Sequence, residues 1–348
     1  MRGIAIAGLV CIGSAFLAGT AVADANVAAF RADCAEPRIQ GNWELQAAAC
    51  LILIQHAADD DERAYAHYER GNALEELNEN RDAIEHYNQA IEMKPDYVDA
   101  IVNRGLTYRR MDDIDKAREN YDLAISLDPD HEPARVNRSK VAIMEERYAD
   151  AIADLDHVLL RNPEFPVALN NRAQAHEQLG NFEKALADYG SAIRIWPENS
   201  YLRVNRAITY LDLDRVDDAL SDLHAALKLD PDNASAHDHL SEIFGSEEYG
   251  IVDQEKSFQH AREYARLRSD DAQGHYRVAL IATRLGDTAQ AIAAHERIIT
   301  DFFFYRPSYQ EALVAKGFLD EDHENAWDDA SRRALKQCVE AGCIPFDD

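Results

Sequence analysis

Apolar and polar residues follow a helical spacing along most of the chain, and the pattern repeats at a constant interval, the one that separates Pro95 from Pro129. Each unit has a small residue, a large residue four places later and a closing proline. The small residues are Ala83, Ala117, Ala151, Ala185 and Ala219, the large ones Tyr87, Tyr121, Leu155, Tyr189 and Leu223, and the prolines Pro95, Pro129, Pro163, Pro197 and Pro231. Small residues let two helices approach closely, and proline ends the second helix because it lacks an amide hydrogen. The pattern therefore predicts stacked pairs of antiparallel helices.

This unit resembles the tetratricopeptide repeat, a helix-turn-helix unit of about 34 residues. The resemblance implies an all-α fold, a right-handed α-solenoid of antiparallel helix pairs with capping helices. About seven units are predicted within residues 64–303, starting at residues 64, 98, 132, 166, 200, 234 and 272, and the sixth carries an insertion around residues 245–252. Residues 24–63 are predicted to form an N-terminal capping segment and residues 304–348 a C-terminal cap.

By the same resemblance, the first helix of each unit lines a concave groove through its second, fifth, ninth, twelfth and thirteenth positions. The residues predicted to line this groove are Tyr65, Tyr68, Asn72, Val102, Leu106, Arg109, Val136, Ile143, Gln174, Tyr201, Val204, Ile208, Leu211 and Arg284. For several of them, especially the valines at the fifth position, packing between helices is an equally good interpretation. A groove with an apolar middle and a few arginines suits an amphipathic helix or an extended peptide, which predicts a protein or peptide partner.

Family members that hold the C-terminal carboxylate of chaperone peptides use lysines, asparagines and an arginine at fixed groove positions. The fifth positions of the first five units here are Tyr, Val, Val, Asn and Val, so that set is not reproduced and a chaperone-tail receptor is not expected. Each sixth position from the second unit to the fifth is an asparagine followed by an arginine. The arginines Arg104, Arg138, Arg172 and Arg206 are predicted to lie along the interface between units rather than to reach a ligand.

The N-terminus has the pattern of a secretory signal peptide. One positive charge at Arg2 precedes an apolar stretch over residues 4–17, and Ala21-Val22-Ala23 ends in the small-x-small pattern that signal peptidase recognises. We expect residues 1–23 to be removed after Ala23 and the protein to be periplasmic or secreted, with no membrane span afterwards. An uncleaved membrane anchor is the alternative interpretation.

Four cysteines follow the predicted cleavage site: Cys34, Cys50, Cys338 and Cys343. An even number in an exported chain predicts disulfide bonds, and the sequence allows three pairings. The most local pairing joins Cys34 to Cys50 and Cys338 to Cys343. Four reduced, buried thiols would be expected instead in a cytosolic protein.

The chain is strongly acidic, with 36 Lys and Arg against 64 Asp and Glu and a formal net charge of -28. Such a field repels polyanions, so nucleic acid is not an expected partner. A basic or amphipathic polypeptide is favoured instead.

The C-terminal segment weakly resembles a small helical peptidoglycan-binding domain through Leu313, Gly317, Trp327 and Ala334. Contact with peptidoglycan through this segment and a simple polar cap are both consistent with it. No catalytic, cofactor-binding or metal-binding pattern emerges. The two rings of His237 and His239 are about 200° apart on a helix and cannot share a metal ion. An enzyme is therefore not expected.

Overall fold

The computed structural model describes residues 19–35, 41–320 and 327–345, with side chains from residue 27 onward. These residues form 18 α-helices and no strand, so the predicted all-α fold is confirmed. Residues 1–18 of the predicted signal peptide lie outside the described residues, and the predicted cleavage point after Ala23 falls within the first helix. The chain divides into two compact units, residues 1–163 and residues 164–348.

The first unit contains eight of the described helices, each packed on the next along the chain. They are α1 (Gly19–Ala35), α2 (Trp43–His56), α3 (Asp60–Glu76), α4 (Asn80–Met93), α5 (Val98–Arg110), α6 (Ile114–Leu127), α7 (Glu132–Met144) and α8 (Tyr148–Arg161). Helices α3 and α4, α5 and α6, and α7 and α8 form three antiparallel pairs, which we name the first, second and third repeats. The first helices of successive repeats also contact one another, α3 with α5 and α5 with α7.

The second unit continues the same arrangement with four further repeats and a closing pair. Its helices are α9 (Pro166–Gln178), α10 (Phe182–Ile195), α11 (Ser200–Leu211), α12 (Val216–Leu229), α13 (Ala234–Gly245), α14 (Gln254–Leu267), α15 (Ala272–Leu285), α16 (Thr288–Asp301), α17 (Arg306–Ala315) and α18 (Asp329–Glu340). A short 3-10 helix, Glu247–Tyr249, lies in the insertion between α13 and α14, and another, Phe303–Tyr305, precedes α17. Helix α15 begins at Ala272 and α17 begins one period later at Arg306, so the period extends to the start of the C-terminal cap.

Helix ends follow from local residues. Helices α4, α6, α8, α10 and α12 each end two residues before one of the periodic prolines. Between the two helices of a repeat, one residue adopts the left-handed conformation, and this residue is glycine in only some of the repeats. The residues at this turn position are Asn78 (φ 60), Asp112 (φ 63), Glu146 (φ 58), Gly180 (φ 69), Asp214 (φ 55), Gly250 (φ 69) and Gly286 (φ 76).

The core of each repeat is built around the periodic Tyr or Leu. Tyr87, Tyr121 and Tyr189 are completely buried, as are Leu155 and Leu223. In the first repeat, Gly71 makes room for the ring of Tyr87, because a Cβ atom at Gly71 would lie 2.5 Å from Tyr87 Cε1. Small residues in this position are therefore required by ring packing.

The arginines after the periodic asparagines reach the second helix of their own repeat, a contact that the prediction of an interface role did not include. Arg172 donates two hydrogen bonds of 2.7 and 2.8 Å to Asp188, sixteen residues later on the second helix of its repeat. Arg206 and Asp222 form the same pair at 2.6 and 2.8 Å. Arg104 and Arg138 also donate hydrogen bonds of 2.7 Å to Asn88 and Asp122 of the preceding repeat, so these two guanidinium groups lie at the predicted interface between units as well.

Both ends of the described chain are crosslinked. One disulfide joins Cys34 of α1 to Cys50 of α2, and the other joins Cys338 at the end of α18 to Cys343 just beyond it. This is the most local of the three pairings. Cys34 and Cys50 are 16 residues apart, and in the loop-entropy model a disulfide that closes a loop of this size stabilises the folded state by about 3 kcal/mol.

Candidate functional site

The candidate site is the face formed by the first helices of the repeats, because these helices contact one another and present side chains that the core does not use. In the first unit, Asn103 of α5 donates hydrogen bonds to Asn72 Oδ1 (2.8 Å) and to the Tyr68 hydroxyl (3.3 Å) of α3. The Tyr87 hydroxyl donates to the same oxygen of Asn72 at 2.8 Å. These bonds fix the floor of the face before any partner arrives.

Two carboxylates of α3 lie on this floor. The Glu75 side chain is 7% exposed, with its Oε2 atom 3.1 Å from the same Tyr87 hydroxyl oxygen and its Oε1 atom 3.2 Å from Arg110 Nε. Burial raises the pKa of Glu75, and the Arg110 charge opposes that rise. Burial also raises the pKa of Glu69, one turn below Asn72. The α3 side of the face is therefore acidic but partly neutralised.

Two cations face the same surface from the neighbouring helices, Arg109 of α5 and Lys140 of α7. Both are partly buried, and no carboxylate of the described residues lies within 4.0 Å of either side chain. Burial lowers the pKa of Lys140, and the Arg109 charge lowers it further. The buried Arg109 Nε atom has no hydrogen-bond partner in the described part of the chain. Neither cation is consequently held in a direct ion pair by the described residues.

Arg109 also affects the neighbouring Tyr121. Burial raises the pKa of Tyr121 to about 12, while the Arg109 charge opposes the rise, so the guanidinium lies near this hydroxyl. The Tyr121 hydroxyl itself is buried without a hydrogen-bond partner among the described residues. Arg109 and Tyr121 therefore lie close together beneath the face.

An aromatic surface completes the face on the α3 side. The ring of Tyr68 lies 5.0 Å from that of Tyr97 and 6.3 Å from that of Tyr87, measured between centroids. Burial raises the pKa of both Tyr68 and Tyr97. Lys94 Nζ lies 5.3 Å from the Tyr97 ring centroid, in the range of a cation–π contact.

The first helices of the second unit form a corresponding face. Its polar floor is Asn205, which donates to Asn170 at 2.9 Å, and Glu177, which accepts from Thr209 (3.1 Å) and Tyr189 (3.2 Å). Burial raises the pKa of Glu177. Next to these groups the Tyr201 side chain is 64% exposed.

All fourteen residues predicted to line the groove lie on first helices of the repeats. Val102, Val136 and Val204 are buried at 3%, 6% and 2% exposure, so the three valines pack between helices. Tyr201 and Arg284 are exposed, and the remaining nine are partly buried. In the first unit the structure brings Tyr68 and Asn72 together through Asn103.

Sequence reasoning missed Lys140, Glu75 and Glu177 as groups on this face. Lys140 stands at the ninth position of the third repeat, in the same column as Asn72 and Leu106, so the period alone was sufficient to include it. Glu75 and Glu177 occupy the twelfth position, in the column of Arg109. The twelfth position was already assigned to the groove, so Glu75 and Glu177 were predictable from the period as well.

Within the described ranges, no group of three or more His, Cys, Asp or Glu side chains is arranged to hold a metal ion. None of the described helices is both long enough and apolar enough to cross a membrane.

Comparisons with known proteins agree with this geometry. One family model described as a TPR repeat matches residues 71–112, and three described as tetratricopeptide repeats match residues 98–131, 166–199 and 204–244. No curated protein matches the sequence.

Solved structures show the same fold at low identity. A tetratricopeptide repeat protein from Parabacteroides merdae is 15% identical, with a TM-score of 0.59 over 74% of this chain and 99% of its own. The pilF protein of Pseudomonas aeruginosa is 18% identical, with a TM-score of 0.51 over 58% of this chain and 90% of its own. The APC/C heterotetramer Cut9–Hcn1 contains a chain that is 13% identical, with a TM-score of 0.56 over 73% of this chain and 52% of that one.

Fold and face together define an α-solenoid of stacked helix pairs. The chain is a tetratricopeptide-repeat protein. Repeats of this kind are typical of scaffolds for protein–protein interaction.

Proposed function

We propose that the protein is a binding scaffold rather than an enzyme, and that the first-helix face of residues 1–163 holds a protein or peptide partner. The observation that carries this proposal is the pair Arg109 and Lys140, two partly buried cations without a carboxylate within 4.0 Å in the described chain. Burying positive charge without a direct counter-charge is unfavourable. An acidic group from a partner would relieve that cost.

The rest of the face specifies the partner further. Tyr68 and Tyr97 offer an aromatic surface, and Asn103 already donates a hydrogen bond to Asn72. A preorganised surface loses little conformational entropy on binding. An amphipathic segment with an apolar or aromatic anchor and an acidic residue fits these groups.

The net charge of -28 acts at longer range. It favours encounter with a partner that is basic overall, because electrostatic attraction accelerates association. An amphipathic partner that is basic overall is attracted by the net negative charge, and an acidic residue within it can pair with Arg109 and Lys140.

A charge-reversal experiment tests the face. The variant Arg109→Glu plus Lys140→Glu should lose the proteins that crosslink to the wild type in an extract of the exported fraction. The matched control is Arg81→Glu plus Lys184→Glu, which makes the same change in net charge at two exposed positions on second helices. For the partner segment mapped by the crosslinks, we expect the double variant to weaken binding at least about tenfold, or 1.4 kcal/mol. Equal capture by wild type, double variant and control would refute the proposal.

We further propose that the protein is exported. The apolar stretch of residues 4–17, the Ala21-Val22-Ala23 pattern and the four cysteines after it support this location. N-terminal sequencing of the protein from fractionated cells should find Asp24 first, in the soluble periplasmic or secreted fraction. Full-length protein in the membrane fraction would instead establish the uncleaved anchor.

Contact of residues 304–348 with peptidoglycan is a separate expectation from the sequence. Trp327, which lies just before α18, packs edge-on against Tyr309 of α17 with ring centroids 6.2 Å apart, which is a packing role. Sedimentation with purified sacculi distinguishes peptidoglycan contact from a simple polar cap. A protein that binds peptidoglycan sediments with the sacculi, whereas a protein with only a polar cap stays in the supernatant.

A further inference from the structure

A cavity of about 370 Å³ lies in the second unit, away from Arg109 and Lys140. Helix α15 forms one side of it, α16 contributes Ile298, and the 3-10 turn with the start of α17 forms the other side. Its volume is at the lower end of the range for ligand sites in proteins. The space suits one ring system with short substituents.

The lining of this cavity is largely aromatic. Tyr276, Tyr305 and Tyr309 present their rings with Ile298, and the polar groups are Gln273 and Ser308. Tyr309 is completely buried, and its hydroxyl is hydrogen-bonded to His295 Nδ1 at 2.8 Å. This bond fixes the ring that forms the back of the cavity.

The first repeat shows what the same positions do when no cavity is present. Tyr68 and Tyr276 share the fifth position of their repeats, and Tyr97 and Tyr305 each stand immediately before the next first helix. Tyr68 and Tyr97 pack together with centroids 5.0 Å apart. Tyr276 and Tyr305 both line the cavity, and the Tyr276 ring also lies 6.4 Å from the His295 ring, measured between centroids. The first repeat therefore shows that a tyrosine at either of these positions can pack against an aromatic ring.

Exposed aromatic residues lie next to the cavity. Phe303 and Phe304 are 66% and 62% exposed, and the Phe304 ring lies 4.6 Å from that of Tyr305. Large apolar side chains exposed next to a cavity are typical of a binding site.

We propose that this cavity binds one aromatic ring. Tyrosine faces and edges favour aromatic over aliphatic ligands because aromatic pairs gain beyond the area they bury. The ring can come from a free small molecule or from a Phe, Tyr or Trp side chain of a partner. Gln273 and Tyr276 occupy the second and fifth positions, the same columns as the face described above, so the second source extends the proposed function.

Titrating the full-length protein with small probes tests the inference. By ligand-observed NMR, N-acetyl-tryptophanamide should bind about fivefold more tightly than N-acetyl-leucinamide. Ser308→Trp, which places a ring in the cavity, should weaken tryptophanamide binding at least about tenfold, whereas Ala289→Trp on the exposed side of α16 should not change it. Tyr276→Leu is a milder second variant and should remove the preference for the aromatic probe. Equal binding of both probes, or unchanged binding by Ser308→Trp and Tyr276→Leu, would overturn the proposal.

Comparing 3-methylindole with N-acetyl-tryptophanamide separates the two sources. Tighter binding of the amide, lost in Gln273→Ala, identifies a peptide side chain. Tighter binding of 3-methylindole identifies a free aromatic molecule. The probes do not depend on the partner, so this test can fail while the charge-reversal test of Arg109 and Lys140 succeeds, and the reverse.

Discussion

The first and third repeats close the same gap between their two helices with different chemistry. In the third repeat, Arg138 donates hydrogen bonds of 2.7 and 2.8 Å to the buried carboxylate of Asp154. In the first repeat the position of Asp154 is His86, whose Nδ1 atom lies 2.9 Å from His67 Nδ1 and whose Nε2 atom accepts from Arg70 at 2.9 Å. One repeat is closed by ions and the other by two imidazoles with one guanidinium.

The repeat pattern therefore constrains the volume and geometry of the side chains between the two helices more strongly than their charge. The ion pair requires both partners, because a lone buried charge is costly. The imidazole pair requires a neutral state, because two protonated rings at this distance repel each other. The third repeat should therefore be sensitive to mutation of either partner and the first to acid.

Loss of Asp154 should destabilise the protein more than any other change considered below. The substitution Asp154→Ala leaves Arg135 and Arg138 without their shared carboxylate and should lower the free energy of unfolding by about 3 kcal/mol. Asp150→Ala is the matched control on the same helix, because Asp150 is 64% exposed and its pair with Arg147 should contribute no more than about 0.5 kcal/mol. Urea unfolding with hydrogen exchange of α8 measures both. Similar losses for the two variants would contradict the importance of the buried pair.

The second prediction concerns the space that Gly71 leaves for the ring of Tyr87 in the first repeat. Gly71→Ala should lower the free energy of unfolding by about 2 kcal/mol, because the new Cβ would overlap the Tyr87 ring at 2.5 Å and the core must shift. The third repeat has Ser139 opposite Leu155, so a Cβ is already accommodated there. Ser139→Ala keeps that Cβ and should cost less than about 1 kcal/mol, the worth of its hydrogen bond to Val136 O. A tolerated Gly71→Ala would show that the first repeat is packed less tightly than its geometry indicates.

The period made the architecture predictable from the sequence. Prolines such as Pro129 and small residues such as Gly105 recur at fixed positions, and each reflects a local rule about helix ends or helix contact. The groove columns followed from the same period. Burial within a column did not, since Val102 and Leu106 share one helix face but only Val102 is buried.

Contacts between columns were harder to predict. That Arg138 reaches Asp154 depends on side-chain direction across two helices, although both residues have periodic counterparts in the sequence. The cavity beside Tyr276 depends on the short 3-10 turn before α17, which has no periodic counterpart. The period reflects what the repeats share, whereas these features arise where one repeat differs from the others.

Acidification should affect the first repeat by a smaller amount. Burial lowers the pKa of His86 to about 4 and also lowers that of His67, with Arg70 adding to both shifts and Asp82 and Glu85 opposing them. Between the ordinary histidine pKa of about 6.5 and about 4, the unfolded chain binds more protons than the folded one, so stability falls as pH drops. Partial exposure reduces the effect to about 1 kcal/mol between pH 7 and pH 5.

The variant His86→Asn isolates this contribution from the other histidines. Asparagine already fills the same position in the second repeat, where Asn120 accepts a hydrogen bond from Arg104 at 2.8 Å. Wild type should lose about 1 kcal/mol more than His86→Asn between pH 7 and pH 5, measured by urea unfolding at each pH. Identical pH profiles would show that the imidazole pair is not the acid-sensitive group.

The smallest change in stability is expected from substitutions in the turns of the first and third repeats. Both turns place a residue in the left-handed conformation, Asn78 in the first repeat and Glu146 in the third, at φ 60 and φ 58. Asparagine tolerates this conformation better than glutamate, because its short side chain can hydrogen-bond to nearby backbone. Glu146→Gly should therefore stabilise the protein by about 0.5 to 1 kcal/mol, and Asn78→Gly by less than about 0.3 kcal/mol. Thermal unfolding of the two variants measures the difference, and equal gains would mean that the left-handed position costs glutamate no more than asparagine.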